Sequence, residues 1–241
     1  MPATLPTSYA RGTVGRTRPM ERRGFDPLTW PTRLVLGALG ATLVLNVVAV
    51  VSDVSYHDLI QRLVSGGDVS LADAQAADDR QFTIADVQLA VFALTALAFV
   101  VWFYRAYENL RPLGVENLRW GSGWAIGGWF VPLLNLVRPK SLANDIWRGS
   151  DPALPPQLER PSGPVPWWHN LWWALFLADG IFARVASQAF DDASTLAERA
   201  DTSNLLLASD AFGIAAAAVA IVVVLATTQR QRRRAAALRA A

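Results

Sequence analysis

The residues able to do chemistry in this chain are few. Asp179 and Arg184 lie inside an apolar run, "WWHNLWWALFLADGIFARVAS" (Trp167–Ser187). Ionisable groups within a bilayer are costly and usually functional, so the pair raises ion or proton movement first. Five residues apart, they lie about 140° apart around an ideal helix and are poor partners for each other. Arg184 falls near one end of its run, level with Asp86 and Asp210. That predicts an ion cluster tying neighbouring helices together, or snorkelling of Arg184 to the surface. Asp179 is deeper and is the better functional residue of the two. Asn46, midway through another apolar run, is a cross-helix hydrogen-bonding group of the kind that contributes about 0.6–2 kcal/mol.

Other chemistries lack their parts. There is no cysteine, which removes disulfides and thiolate metal sites. No G-x-S-x-G, Walker loop or H-E-x-x-H occurs. The two histidines, His57 and His169, have no companion set for zinc or a triad. The sequence therefore predicts no catalytic, cofactor-binding or metal site and a protein that is not an enzyme. The arginine run "QRQRRR" could touch nucleic acid, but without a fold or aromatic interleaving no nucleic-acid partner is expected.

The elements that hold these groups are apolar. Of 241 residues 52% are hydrophobic and 17% charged, below the roughly 25% charge of soluble domains. "LVLGALGATLVLNVVAVV" (Leu34–Val51) holds 18 residues without a charge, about 27 Å as a helix and close to a ~30 Å hydrocarbon core. It is longer than the ~7–15 residue apolar region of a signal peptide, so an uncleaved first helix is expected. The other runs are Ile84–Tyr104, where Thr83 and Asp86 fit a capping box, Trp167–Ser187, and an apolar stretch ending in the uncharged Ala211–Thr228.

Loop charges orient them. Lys and Arg number six in 1–33, two in 52–83, seven in 105–166, one in 188–210 and five in 229–241. Segments on the cytoplasmic side are rich in these residues, so both termini are expected inside, with two acidic loops outside. "GWAIGGWFVPLLNLVRP" (Gly123–Pro139) does not fit as a span. Trp124–Val137 would cover only about 21 Å as a helix, Pro132 interrupts it, and a crossing would invert the charge bias of everything after it. It is expected to dip into the inner leaflet or to lie in the interface. All ten tryptophans fall in or beside segments assigned to the inner side, at headgroup level. Next, "RPKSLANDIWRGSD" reads as a short amphipathic helix: Pro139 in the first turn, Leu142 and Ile146 on one face, Gly149 as the stop, and Arg138, Lys140 and Arg148 near anionic headgroups.

Three stretches carry a resemblance. They are "YRAYENLRPLG", "LRWGSGWAIGGWFVPLLNLVRPKSLANDIWRGSDP" and the "WW" that opens the third run. Here the chain resembles a largely actinobacterial family of membrane proteins grouped as domain of unknown function 4328. The residues that carry it are Tyr104, Arg105, Ala106, Asn109, Leu110 and Arg111; Gly123, Trp124, Ala125, Trp129, Phe130, Pro132, Asn135 and Leu136; and Arg138, Pro139, Trp147, Arg148 and Ser150. Pro112 departs from the pattern and predicts that the second helix stops at about Arg111. The resemblance implies a fold and a location but no activity.

The reading that results is an all-α integral membrane protein of a bacterial plasma membrane, multi-pass, with both termini cytoplasmic. Four transmembrane helices (34–51, 84–104, 167–187, 207–228) enclose a re-entrant or interfacial segment, 123–149, between helices two and three. A disordered basic tail, 1–32, and a basic tail, 230–241, flank the membrane domain, 33–229. Its expected role is to present a tryptophan-rich surface on the cytoplasmic side: Arg105, Asn109, Arg111, Trp124, Trp129, Pro132, Asn135, Arg138, Trp147 and Arg148. The expected partners are the bilayer with its anionic inner-leaflet headgroups, a protein, or a second copy of the chain. The alternative is a small transporter or channel subunit using Asp179 and Arg184.

Overall fold

The computed structural model describes residues 24–157 and 159–240; most of the expected basic tail, up to residue 23, lies outside them. Among the described residues every regular element is helical: α1 (Thr29–Val64), α2 (Leu71–Glu108), α3 (Trp124–Gly127), a 3₁₀ turn (Leu134–Leu136), α4 (Arg138–Gly149), α5 (Trp167–Asp192) and α6 (Leu196–Ala240). Three of them, α1, α2 and α6, are long and apolar enough to cross a membrane. The fourth expected span, in α5, is not among the three. Asp179, Arg184 and the tryptophans of its first turns dilute its hydropathy.

The long helices overrun the expected spans. With 36, 38 and 45 residues, α1, α2 and α6 extend about 54–68 Å. The segments read as acidic loops are helical extensions. Thr83 and Asp86 are therefore not a cap: α2 begins twelve residues earlier, and Thr83 sits mid-helix, its Oγ1 donating to the Asp79 carbonyl at 2.8 Å. The working cap is Ser70, whose Oγ accepts the Asp73 amide at 3.1 Å. Good helix formers in "LADAQAADDRQ" carry the helix on from there. At its other end α2 stops at Glu108, just short of Pro112. The chain beyond Thr228, expected as a tail, continues α6 as helix to Ala240.

Side-chain contacts give the packing. Thr42 meets Thr95 at 3.0 Å and Tyr56 Oη donates to Asp78 at 3.0 Å, so α1 and α2 run antiparallel. Thr32 meets Thr228 at 3.1 Å while His57 meets Ser203 at 2.7 Å, so α6 is antiparallel to α1. Phe182 stacks on Phe212 at 4.7 Å and Thr202 donates to the Ala189 carbonyl, so α5 is antiparallel to α6. Leu89, Leu94, Leu97, Val44, Val51, Ile181 and Leu225 are exposed on the outside of the bundle, while Asn46, Asp53, Gln81 and Thr95 are buried in it. Apolar groups outside and polar groups inside is the arrangement a hydrocarbon solvent favours.

Candidate functional site

The tryptophan-rich end is organised around one aromatic block. Phe99, Trp102 and Phe103 of α2 pack with Trp172 and Trp173 of α5, and Trp129 stands edge-on to Phe99, Phe103, Trp173 and Phe176 at 5.6–6.1 Å. Trp129 is thus a packing residue that fastens the 123–137 segment to the helices, not a presented one. A space of about 10 Å³ remains between Phe99, His169 and Trp172, room for a water at most.

From this anchor the segment runs as α3, a turn and the 3₁₀ turn. Pro132 is exposed at the bend, and Leu133 follows it with φ 63°. A leucine in that region is strained by about 1–3 kcal/mol, a cost tolerated when surroundings fix the turn. Asn135 lies within the 3₁₀ turn, half-buried, and its backbone N–H donates to the Val131 carbonyl at 3.0 Å; no side-chain cap is formed there. The bend leaves a bare apolar tip, with Phe130 at 73%, Leu133 at 79% and Val137 at 66% exposure. Arg138 closes the segment, its guanidinium 3.5 Å from the Trp120 ring centre and 4.5 Å from that of Trp124. Such stacking on desolvated rings contributes about 1–2 kcal/mol.

Helix α4 follows as the sequence predicts, with Pro139 in its first turn and Leu142 and Ile146 buried beneath it. Its lysine is spent inward. Lys140 Nζ donates to Asn144 Oδ1 at 2.7 Å and to His169 Nδ1 at 3.1 Å. Burial, with Arg148 nearby, pulls the lysine down to about 8. Asp145 is buried too; burial pushes its carboxyl up from the ordinary range, against the pull of Arg119 and Arg148. Arg148 Nε donates to the Gly163 carbonyl at 2.8 Å, and Trp147 stands edge-on to Trp168 at 5.1 Å.

The remaining sequence-selected residues divide the same way. Arg105 pairs with Asp26 at 2.8 Å and lies over Trp30. Asn109 is buried, donating to the Asp26 carbonyl at 2.7 Å and to Gln231 Oε1 at 2.9 Å. Arg111 is exposed. A cleft of about 120 Å³ opens beside this corner, lined by Asp26, Tyr104, Arg105, Glu108, Asn109 and Pro112.

The sequence reading missed the most integrated residue here. Arg234 is fully buried, its Nε donating to the Leu113 carbonyl at 2.8 Å, its Nη1 to Asp151 at 2.7 Å and its Nη2 to Pro155 at 3.1 Å. One turn earlier, Arg230 donates to Asp151 Oδ2 at 2.6 Å and lies over Trp147. The i, i+4 spacing of these two arginines, and of neither with Arg232 or Arg233, was the available signal. Gly114 completes the clamp: at φ 91°, any Cβ there would collide with the Pro156 carbonyl oxygen.

The expected cluster of Arg184 with Asp86 and Asp210 does not form among the described residues. Arg184 is exposed and forms no ion pair among the described residues, and Asp86 is exposed as well. Asp179 instead lies against Gly213 of α6, which Asn46 of α1 also crowds. Asp210 accepts from Gln88 Nε2 at 2.7 Å.

An all-helical chain with three apolar helices of membrane-crossing length, closed at one end by a tryptophan-lined layer, defines the class. The chain belongs to the family described as "Domain of unknown function (DUF4328)", which matches residues 65–229. The match covers α2 to α5 and α6 as far as Gln229, stopping one residue short of Arg230. No curated protein and no solved structure matches the chain.

Proposed function

We propose that this is a non-enzymatic, multi-pass protein of a bacterial plasma membrane that engages the lipids of the inner leaflet. In this reading α5 is the fourth span, at about 39 Å for its 26 residues, and both termini are cytoplasmic, in line with the distribution of Lys and Arg. Segment 123–137 is a re-entrant hairpin whose tip enters the acyl region, and α4 lies at headgroup level.

The exposed tip of Phe130, Leu133 and Val137 carries the argument. Three large apolar side chains on a strained bend have no partner in the bundle and would be held out of water by a leaflet. The same end of the bundle carries exposed Arg111 and Arg119 and half-buried Arg148, cations suited to anionic headgroups. Most of the tryptophans serve as the frame that holds this tip. The role is therefore carried by the tip and its arginines rather than by the whole aromatic set.

The chain has no cysteine, so single reporters are unambiguous. Phe130→Cys and Leu133→Cys, labelled with a fluorophore in vesicles, should be quenched by lipids carrying quenchers in the acyl chains and shielded from aqueous quencher. Arg111→Gln with Arg119→Gln should reduce enrichment of anionic lipid around the protein. Labels quenched equally from water would sink the insertion, and labels protected by a co-purifying protein rather than by lipid would replace the leaflet with a protein partner.

A further inference from the structure

Away from the tryptophan-rich end, α1, α2, α5 and α6 enclose a set of polar side chains that the leaflet-binding role does not use. Asp53 of α1 is 3% exposed. Its Oδ1 accepts from Gln81 Nε2 at 3.1 Å, and Asp210 of α6 lies within hydrogen-bond reach of its carboxyl. Gln88 Nε2 donates to Asp210 Oδ1 at 2.7 Å and to Asn46 Oδ1 at 3.2 Å. Asp179 of α5 stands close enough to Asp210 for their charges to act on each other.

The donors run out before the acceptors do. Gln81 and Gln88 each direct their amide nitrogen at one carboxyl, and Asp53 Oδ2 is buried with no donor among the described residues. Arg80 is turned to Ser52, its Nε donating to Ser52 Oγ at 2.9 Å, and Ser52 Oγ in turn donates to Gln81 Oε1 at 3.4 Å. Arg199 of α6 is engaged a turn or so beyond, with Asp78 at 3.5 Å and with Tyr56 Oη. His57, one turn along α1, is held by Ser203. Two carboxylates within hydrogen-bond reach, Asp53 buried and Asp210 half-buried, with no ion pair to either among the described residues, resist both being ionised. A carboxylic acid, by contrast, gives Asp53 Oδ2 the partner it lacks.

We propose that Asp53 and Asp210 hold one proton between them, forming a proton-binding site that joins α1 to α6, with Asp179 as the neighbouring carboxylate. One proton from water bonds to one of the two carboxyls and is shared with the other, leaving the pair with a single negative charge. Gln81 and Gln88 hold the outer oxygens and fix the two groups face to face. The proton enters from the end that carries Tyr56, Asp78 and Arg199. Toward the tryptophan-rich end the hydrogen bonds between α1 and α2 stop at Thr42 and Thr95, and buried Leu39, Ala98 and Phe99 stand before the next polar group, Thr228 with Thr32 and Trp102. The site is therefore one-sided, a place where a proton binds and leaves by the same route. It shares with the lipid-binding reading only the placement of these helices in a membrane.

Infrared spectroscopy of the full chain in lipid nanodiscs at neutral pH tests this. The parent should show the C=O band of a protonated carboxylic acid, shifting in heavy water. Asp53→Asn and Asp210→Asn should each abolish the band while leaving thermal stability at least equal to the parent's, because an asparagine amide supplies the missing donor. Asp179→Asn should leave the band in place. Absence of the band, its survival in both single variants, a loss of folding in either, or its removal by sodium at constant pH would each overturn the proposal. The last outcome would point to a monovalent cation as the occupant. None of these readouts depends on the hairpin tip or its lipids.

Discussion

Arg234, at one end of this bundle, and Asp53, toward the other, are both almost fully withdrawn from solvent, yet they stand in opposite situations. Around Arg234 the carbonyls of Leu113, Asp151, Leu154 and Pro155 converge on one guanidinium, and Asp151 is held by Arg230 beside it. Around Asp53 and Asp210 two glutamine amides face the carboxyls, and one buried oxygen is left over. A polar network whose donors and acceptors all match specifies a structure; one that is short of a donor has room for a ligand. By that criterion the arginine clamp is architecture, and the carboxyl pair is a part of the bundle able to respond to its surroundings.

The largest effect should come from dismantling the matched network. Arg234→Met removes every donor at once and strands buried carbonyls, a loss of about 3–5 kcal/mol. Its exposed neighbour Arg233, replaced in the same way, should stay within about 0.5 kcal/mol. Unfolding of the two variants in detergent, followed by helical circular dichroism, gives the comparison. Equal midpoints would show that Arg234 is no clamp. A second blow to the same corner, Gly114→Ala, should cost about 2 kcal/mol or more. It combines a φ of 91° with a clash on the Pro156 carbonyl, and should open the 151–157 loop to protease.

How much of this was legible before the structure depends on the kind of signal. The apolar runs 34–51, 84–104 and 207–228 lie inside α1, α2 and α6 because uninterrupted hydrophobicity needs no tertiary knowledge to be read. Helix α4, from Arg138 to Gly149, was readable from Pro139 and Gly149 as local start and stop signals. The ends of the long helices were not, because charge was taken for loop when Asp73, Asp78 and Asp79 ride on a helical extension. The site was legible only in location. Arg105, Asn109, Trp129 and Trp147 read as presented in the sequence but are engaged by neighbours in the structure, because a sequence does not tell which partner absorbs a side chain. Arg234 joins residues 79 to 121 positions away, and Asp53 and Asp210 are further apart still, so neither leaves a local trace beyond an i, i+4 pair of arginines.

A smaller effect separates the tryptophan-rich end from a merely greasy one. Lys140 in the folded protein gives up its proton at about 8, against an ordinary 10.5, because burial and then Arg148 disfavour the charge. Between those two pH values the unfolded chain binds more protons than the folded one. Stability should therefore rise as pH climbs from about 8 toward 10.5, and be indifferent to this group below 8, where both states are protonated. The group is half-exposed, and screening reduces the gain to about 1 kcal/mol. Thermal unfolding of the parent against Lys140→Met across that window checks it: the rise should vanish in the variant. A rise of the same size in both would assign it elsewhere.

The smallest expected effect sharpens the comparison most. Asp179 and Arg184 occupy one helix but point to different faces, as their five-residue spacing predicts, and the packing sends them to different surroundings. Arg184 is exposed on the bundle's outer surface, whereas Asp179 turns toward Gly213 and the carboxyl pair. Arg184→Gln should shift stability by no more than about 0.5 kcal/mol and leave the carboxylic-acid band of the parent unchanged. Asp179→Asn removes a like charge facing Asp210, so it should stabilise the bundle and bring the loss of that band to lower pH. The order of the two variants is what matters. If Arg184→Gln moved the band and Asp179→Asn did not, Arg184 would be a counter-charge to the buried carboxyls after all. The two ends of the molecule would then be alike, each with its anions neutralised by arginine.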